Sequence, residues 1–147
     1  MKLKTFTAVV VLFAAFATFA ARAAELKLEA QLIWATNEPK SPNPKHKPVD
    51  ADVQKKLTSL PLKWTHFFEE NRKTLHVADG ASQKIGLSEK LAVEVKHLAS
   101  DKIEVTYFGN GQEIWKGVQP LPKNEILVLG GNAPADSAWL VALKRVE

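Results

Sequence analysis

Few residues of this chain could do chemistry, and their spacing decides which chemistry is open to it. A glycine pair, Gly130-Gly131, follows the apolar run Leu127-Val128-Leu129 and precedes Asn132. A strand running into glycines is how many phosphate cradles begin. A P-loop also needs a lysine and a hydroxyl directly after its last glycine. Here Asn132-Ala133-Pro134 fills that place, and no G-x-G-x-x-G occurs. The phosphate reading further requires residues 138–146 to be helical. Residues 138–143 are apolar on both parities, as in a strand covered on both faces. We therefore expect a strand there. Gly130-Gly131 would let the chain leave the preceding strand, and residues 132–137 would span the loop between them.

Of the four histidines, His46 lies in a proline-rich stretch, and His66 and His97 fall on the apolar parity of expected strands, with His76 on the other. Two imidazoles converging with a carboxylate can bind zinc. No H-E-x-x-H is present, so core or strand-end histidines are the primary reading. A metal-dependent hydrolase using His66 and His97 is an alternative. Glu69 and Glu70 are adjacent, so on a strand they point to opposite faces and cannot share a substrate. No serine sits in G-x-S-x-G. The absence of cysteine excludes disulfides, thiol catalysis and cysteine-ligated zinc. No cofactor, metal site or catalytic constellation is expected.

Aromatic residues carry the remaining signal. Trp34, Trp64 and Trp139 lie inside apolar runs and read as core. Trp115 follows Ile114 near the Asn110-Gly111 step, with Phe108 across that turn. A Phe108–Trp115 pair would be a cross-strand core contact or an aromatic platform for a sugar ring or a partner protein. The residues singled out as a partner or ligand surface are Phe108, Asn110, Trp115, Gly130, Gly131 and Asn132. The stretch from Lys40 to Lys47 carries three lysines and His46, but Glu38, Asp50 and Asp52 flank it, so a solvated loop is expected.

The elements that must position these residues follow from periodicity. Residues 25–36 alternate Leu26, Leu28, Ala30 and Leu32 with polar neighbours, the period of a half-buried strand. Residues 37–49 are rich in proline and read as a loop. Residues 50–60 give the one helix: Asp50 or Asp52 can cap it, Val53, Leu57 and Leu60 share a face, and Pro61 ends it. From residue 62 onward short strands follow one another. Leu62, Trp64, His66 and Phe68 form one apolar parity, and residues 73–77 a separate run. Asn110-Gly111 suits a tight hairpin. About eight short strands and one early helix predict a mainly β fold, an antiparallel sandwich or barrel.

The first residues are of another kind. Met1 to Lys4 is basic, Phe6 to Ala21 is almost wholly apolar, and Ala21-Arg22-Ala23 offers small residues at the two positions a signal peptidase reads. We expect residues 1–23 to be a secretory signal peptide and residues 24–147 a single exported β domain. An uncleaved anchor is the rival reading, but the apolar run is shorter than the roughly 20 residues a span prefers. The 147-residue chain has a formal charge of +4, and losing Lys2, Lys4 and Arg22 leaves +1. That balance gives no electrostatic case for nucleic acid.

Taken in order, "LIWATNE", the proline-and-lysine loop, "VQKKLTSLPLKWTHF", "IGLSEKLAVEV" and the terminal "LVLGG…AWLVAL" resemble a group of small exported bacterial proteins. The resemblance implies a sandwich-like fold and an exported location. That group has no assigned activity, so no catalytic residue carries over. The expected function is a non-catalytic interaction or accessory protein of the periplasm or cell envelope, with an envelope protein as partner, no nucleic acid and no stable membrane insertion after signal cleavage. A small carbohydrate-binding module is the second reading.

Overall fold

A computed structural model describes residues 25–99, 101–133 and 137–146; the expected signal peptide lies outside them. The described residues form β1 (Leu26–Thr36), β2 (Lys47–Pro48), α1 (Ala51–Ser59), β3 (His66–Val77), β4 (Ser82–Gly86), β5 (Leu91–His97), β6 (Lys102–Gly109), β7 (Gln112–Pro120), β8 (Ile126–Ala133) and β9 (Ser137–Arg145). The fold is mainly β, with two antiparallel sheets stacked as a sandwich that does not close into a barrel. One sheet has the order β2-β3-β1-β9-β8 and the other β4-β5-β6-β7.

The five-stranded sheet is covered on both faces, which explains the doubly apolar β9. Leu26, Leu28, Ala30 and Leu32 of β1 join Val141 and Leu143 of β9 against Val93, Val95, Ile103 and Val105 of the second sheet. The opposite parity, Ile33 and Ala35 with Ala138, Leu140 and Ala142, packs under Val53 and Leu57 of α1. The layers are therefore helix, five-stranded sheet and four-stranded sheet, and the outer face of the latter is open to solvent.

Helix α1 stops where the sequence says it must: Leu60, before Pro61, takes an extended backbone conformation. Its start differs from expectation. Asp50 makes no capping hydrogen bond, because its carboxylate pairs with Arg72 of β3. Asp52 accepts from the Val53 amide at 2.9 Å and pairs with Lys144 of β9. The two acids thus tie the first turn to the sheet beneath it.

Strand β3 corrects two readings. Residues 66–77 form one strand, not two runs, and residues 62–65 precede it. Phe67, not Phe68, is the buried aromatic under the helix, and Leu62 and Trp64 pack beside it from outside the strand. The strand also carries a bulge. Glu69 pairs with Ile33 and Asn71 with Leu32, leaving Glu70 as the extra residue. The proline-rich stretch is likewise not wholly loop, since Lys47 and Pro48 pair with Glu69 and Phe68.

Candidate functional site

Among the described residues, strand β7 is an edge of the four-stranded sheet, with β6 on one side only. Among the described residues, the large apolar side chains left exposed are Ile114 at 61 %, Val118 at 54 % and Trp115 at 38 %, and all three belong to β7. A free edge with apolar side chains is a template for another strand. Its start is fixed by the hairpin: Asn110 and Gly111 both have positive φ, 52° and 77°, as a two-residue turn of this kind requires.

A second bulge determines where these side chains go. Tyr107 pairs with Trp115 and Phe108 with Glu113, so Ile114 is the extra residue. Tyr107 belongs to the core between the sheets, where burial pushes its phenol pKa up. Trp115 therefore shares the inner face of the sheet. Its ring lies over Gly117, so close that a Cβ there would stand 2.4 Å from it. Phe108 points to the outer face, where the Lys84 Nζ sits 3.8 Å from its ring centre. The expected Phe108–Trp115 platform is thus absent, because the bulge turns the pair onto opposite faces, and the sugar-binding reading loses its paired rings.

The other sequence-selected residues are distributed as follows. Gly130 meets Trp115 in a side cleft of about 270 Å³ between β7 and β8, with Tyr107, Gln119, Val128 and Leu129. Gly131 and Asn132 do not form a turn: β8 continues through them, pairing with Trp139 and Ala138 of β9. The glycine-pair bend is corrected accordingly, and because residues 138–145 are strand, no helix N-terminus among the described residues faces the glycines. Asn110 lines a larger cleft at one end of the sandwich. His66 and His97 do not converge. His66 begins β3, whereas the His97 carbonyl accepts from Gly80 beyond that strand's far end. At about 3.3 Å per residue, the length of β3 sets them roughly 35 Å apart. No group of three His, Asp or Glu side chains able to hold a metal occurs among the described residues.

The end cleft has a volume of about 470 Å³. Trp139 and Glu70 come from the five-stranded sheet, and Glu89, Lys90, Leu91 and Ile114 from the other. Its walls are tied in place. Ser88 Oγ accepts from the amides of Lys90 and Leu91 at 3.2 and 3.1 Å, and Asn71 Nδ2 donates across the sheets to the Leu87 carbonyl at 2.9 Å. The Asn110 amide donates to the Lys90 carbonyl at 2.8 Å. Trp139 stacks obliquely on Trp34, with ring centres 4.5 Å apart.

Beside the cleft, Ser41, His46 and Glu70 stand in a line. Ser41 Oγ lies 2.6 Å from His46 Nδ1, and His46 Nε2 is 3.9 Å from Glu70. The latter exceeds hydrogen-bond reach. Ser41 Oγ also accepts from the Asn43 amide, and the His46 side chain is only 5 % exposed. These contacts close the proline-rich loop.

Of the residues at the β7 edge and the end cleft, Trp115 and Asn110 are among those the sequence singles out, whereas Ile114, Val118 and Glu70 are not. Ile114 and Glu70 are both bulge residues, and a period-two reading has no place for an extra residue. No protein-family model matches the chain, and no curated protein or solved structure is significantly similar to it.

Proposed function

We propose that this protein is a non-catalytic interaction or accessory protein of the cell envelope, exported by its N-terminal segment, which receives a strand of a partner protein on β7. The observation that carries the reading is the coincidence of exposed Ile114, Trp115 and Val118 with an unpaired sheet edge. Adding a strand pairs the free backbone groups of β7, and the apolar side chains supply contact area. No helix of the described residues is long and apolar enough to cross a membrane.

Photo-crosslinking in the source cell tests this. A photoreactive residue at position 118 is expected to trap a discrete partner band, while the same residue at position 55 on α1 traps none. Equal products from both positions, or none from 118, would refute the edge.

A further inference from the structure

We infer that Asn110 is a self-modifying site: its carboxamide closes on the Gly111 backbone nitrogen to a succinimide, water reopens the ring mainly as isoaspartate, and the change loosens β7 from β6. The chemistry is independent of whether β7 receives a partner. Its nucleophile is the Gly111 nitrogen, whose N–H has no hydrogen-bond acceptor among the described residues. Glycine puts no side chain beside that nitrogen. Both residues are exposed, and nothing lies within 4 Å of where a Gly111 Cβ would stand, so the ring has room to form. The other asparagines are held. The amide after Asn37 donates to Thr36 Oγ1 at 3.1 Å, and the amide after Asn124 to the Pro122 carbonyl at 3.0 Å. The Arg72 amide donates to the Asn71 carboxamide at 2.8 Å, and that carboxamide is itself tied to the Leu87 carbonyl at 2.9 Å. Pro44 gives Asn43 no amide hydrogen to lose, and Asn132 is paired inside β8. The second acid–glycine turn makes the comparison sharper. Gly80 also has a positive φ, 74°, but its amide is engaged by the His97 carbonyl at 3.0 Å.

The step needs only solvent. The Gly111 nitrogen gives its proton to base and attacks Asn110 Cγ. The N–Cγ bond forms, the Cγ–Nδ2 bond breaks, and the nitrogen leaves as ammonia with a proton from water. Water then opens one of the two ring carbonyls. Cleavage at Cγ leaves an aspartate with a normal backbone, whereas cleavage at the Asn110 main-chain carbonyl leaves isoaspartate, whose backbone runs through the side chain and is one atom longer. A two-residue turn with φ of 52° and 77° cannot absorb that atom. The pairs next to it, Gly109 with Gln112 and Phe108 with Glu113, must therefore part. Strand β7 has β6 as its one neighbour in the sheet, so no second strand holds it in register.

Ageing the folded protein in mildly alkaline buffer, followed by proteolysis and mass spectrometry with enzymatic methylation of isoaspartate, tests the site. Position 110 is expected to lose its amide at least about tenfold faster than Asn37, Asn71 or Asn124, and no more than about tenfold slower than in the urea-unfolded chain. Raising the pH should speed the loss, because the Gly111 nitrogen reacts deprotonated. Hydrogen exchange on the same aged samples reads the consequence: protection of the β7 amides near Gln112 should fall about threefold or more as isoaspartate accumulates. Asn110→Gly keeps a sequence that a two-residue hairpin accepts. It is expected to form no isoaspartate at the hairpin and to hold its exchange protection over the same period. Loss at position 110 that is no faster than at the other asparagines, or that folding suppresses about a hundredfold, overturns the site. Isoaspartate appearing equally at Asp79 overturns the protective role given to a bonded glycine amide. Conversion at position 110 that leaves β7 exchange unchanged overturns the loosening of the hairpin.

Discussion

Gly117 is the residue on which the placement of Trp115 depends. A methyl group there would lie 2.4 Å from the indole, so Gly117→Ala must turn the ring out of the cleft toward water. Because Trp115 is already 38 % exposed, the swing should cost little stability. The expected readout is a red shift of tryptophan emission that vanishes when Trp115→Phe is added. A second residue-scale expectation concerns the anchor of α1. The Lys144 ammonium, hydrogen-bonded to Asp52, holds that carboxyl below its ordinary value, and Asp52 in turn raises Lys144. A depressed carboxyl contributes stability above its unfolded pKa of about 4, lost as pH falls through the folded value. A raised ammonium contributes below about 10.4, lost as pH rises through its folded value. Asp52→Asn should therefore flatten both limbs of the stability–pH curve in urea titrations. The effect is modest, because the Asp52 side chain is 43 % exposed.

At the scale of elements, α1 has nine residues, too few to hold a helix in water unaided. It persists because Val53 and Leu57 bury against Ile33, Ala35, Leu140 and Ala142. Leu57→Ala is expected to cost about 2–5 kcal/mol in equilibrium unfolding, the range for deleting a buried leucine. This helix was legible in the sequence because apolar spacing, acids at the start and Pro61 all agree. So was β9 as a strand, since apolar residues on both parities demand two covered faces. Strand β3 was not, because the sequence continues its alternation backward through Leu62 and Trp64, where the chain packs without pairing. The candidate site was half legible. Trp115 and Asn110 stand near a recognisable hairpin, whereas the positions of Ile114 and Glu70 depend on bulges, which arise from how two strands meet. The exposure of Val118 depends on β7 lacking a second neighbour, a property of sheet order that local sequence does not carry.

At the scale of the whole molecule, the reading as an exported protein predicts a mature N-terminus at Ala24. N-terminal sequencing of the protein recovered from the cell envelope checks this, and an intact Met1 would overturn it. The arrangement of strands adds a different consequence. The five-stranded sheet has β1 and β9, the first and last strands described, side by side at its centre, and β8 touches that sheet through β9 alone. Pairings between the two ends of a chain are slow to form, because a long loop must close before any contact rewards it. Such a sheet cannot be completed until β9 is available to pair with β1. Strand β9 acts as a keystone: the four-stranded sheet can zip up from neighbouring hairpins, but the layer that carries Trp34 and Trp139 waits for β9.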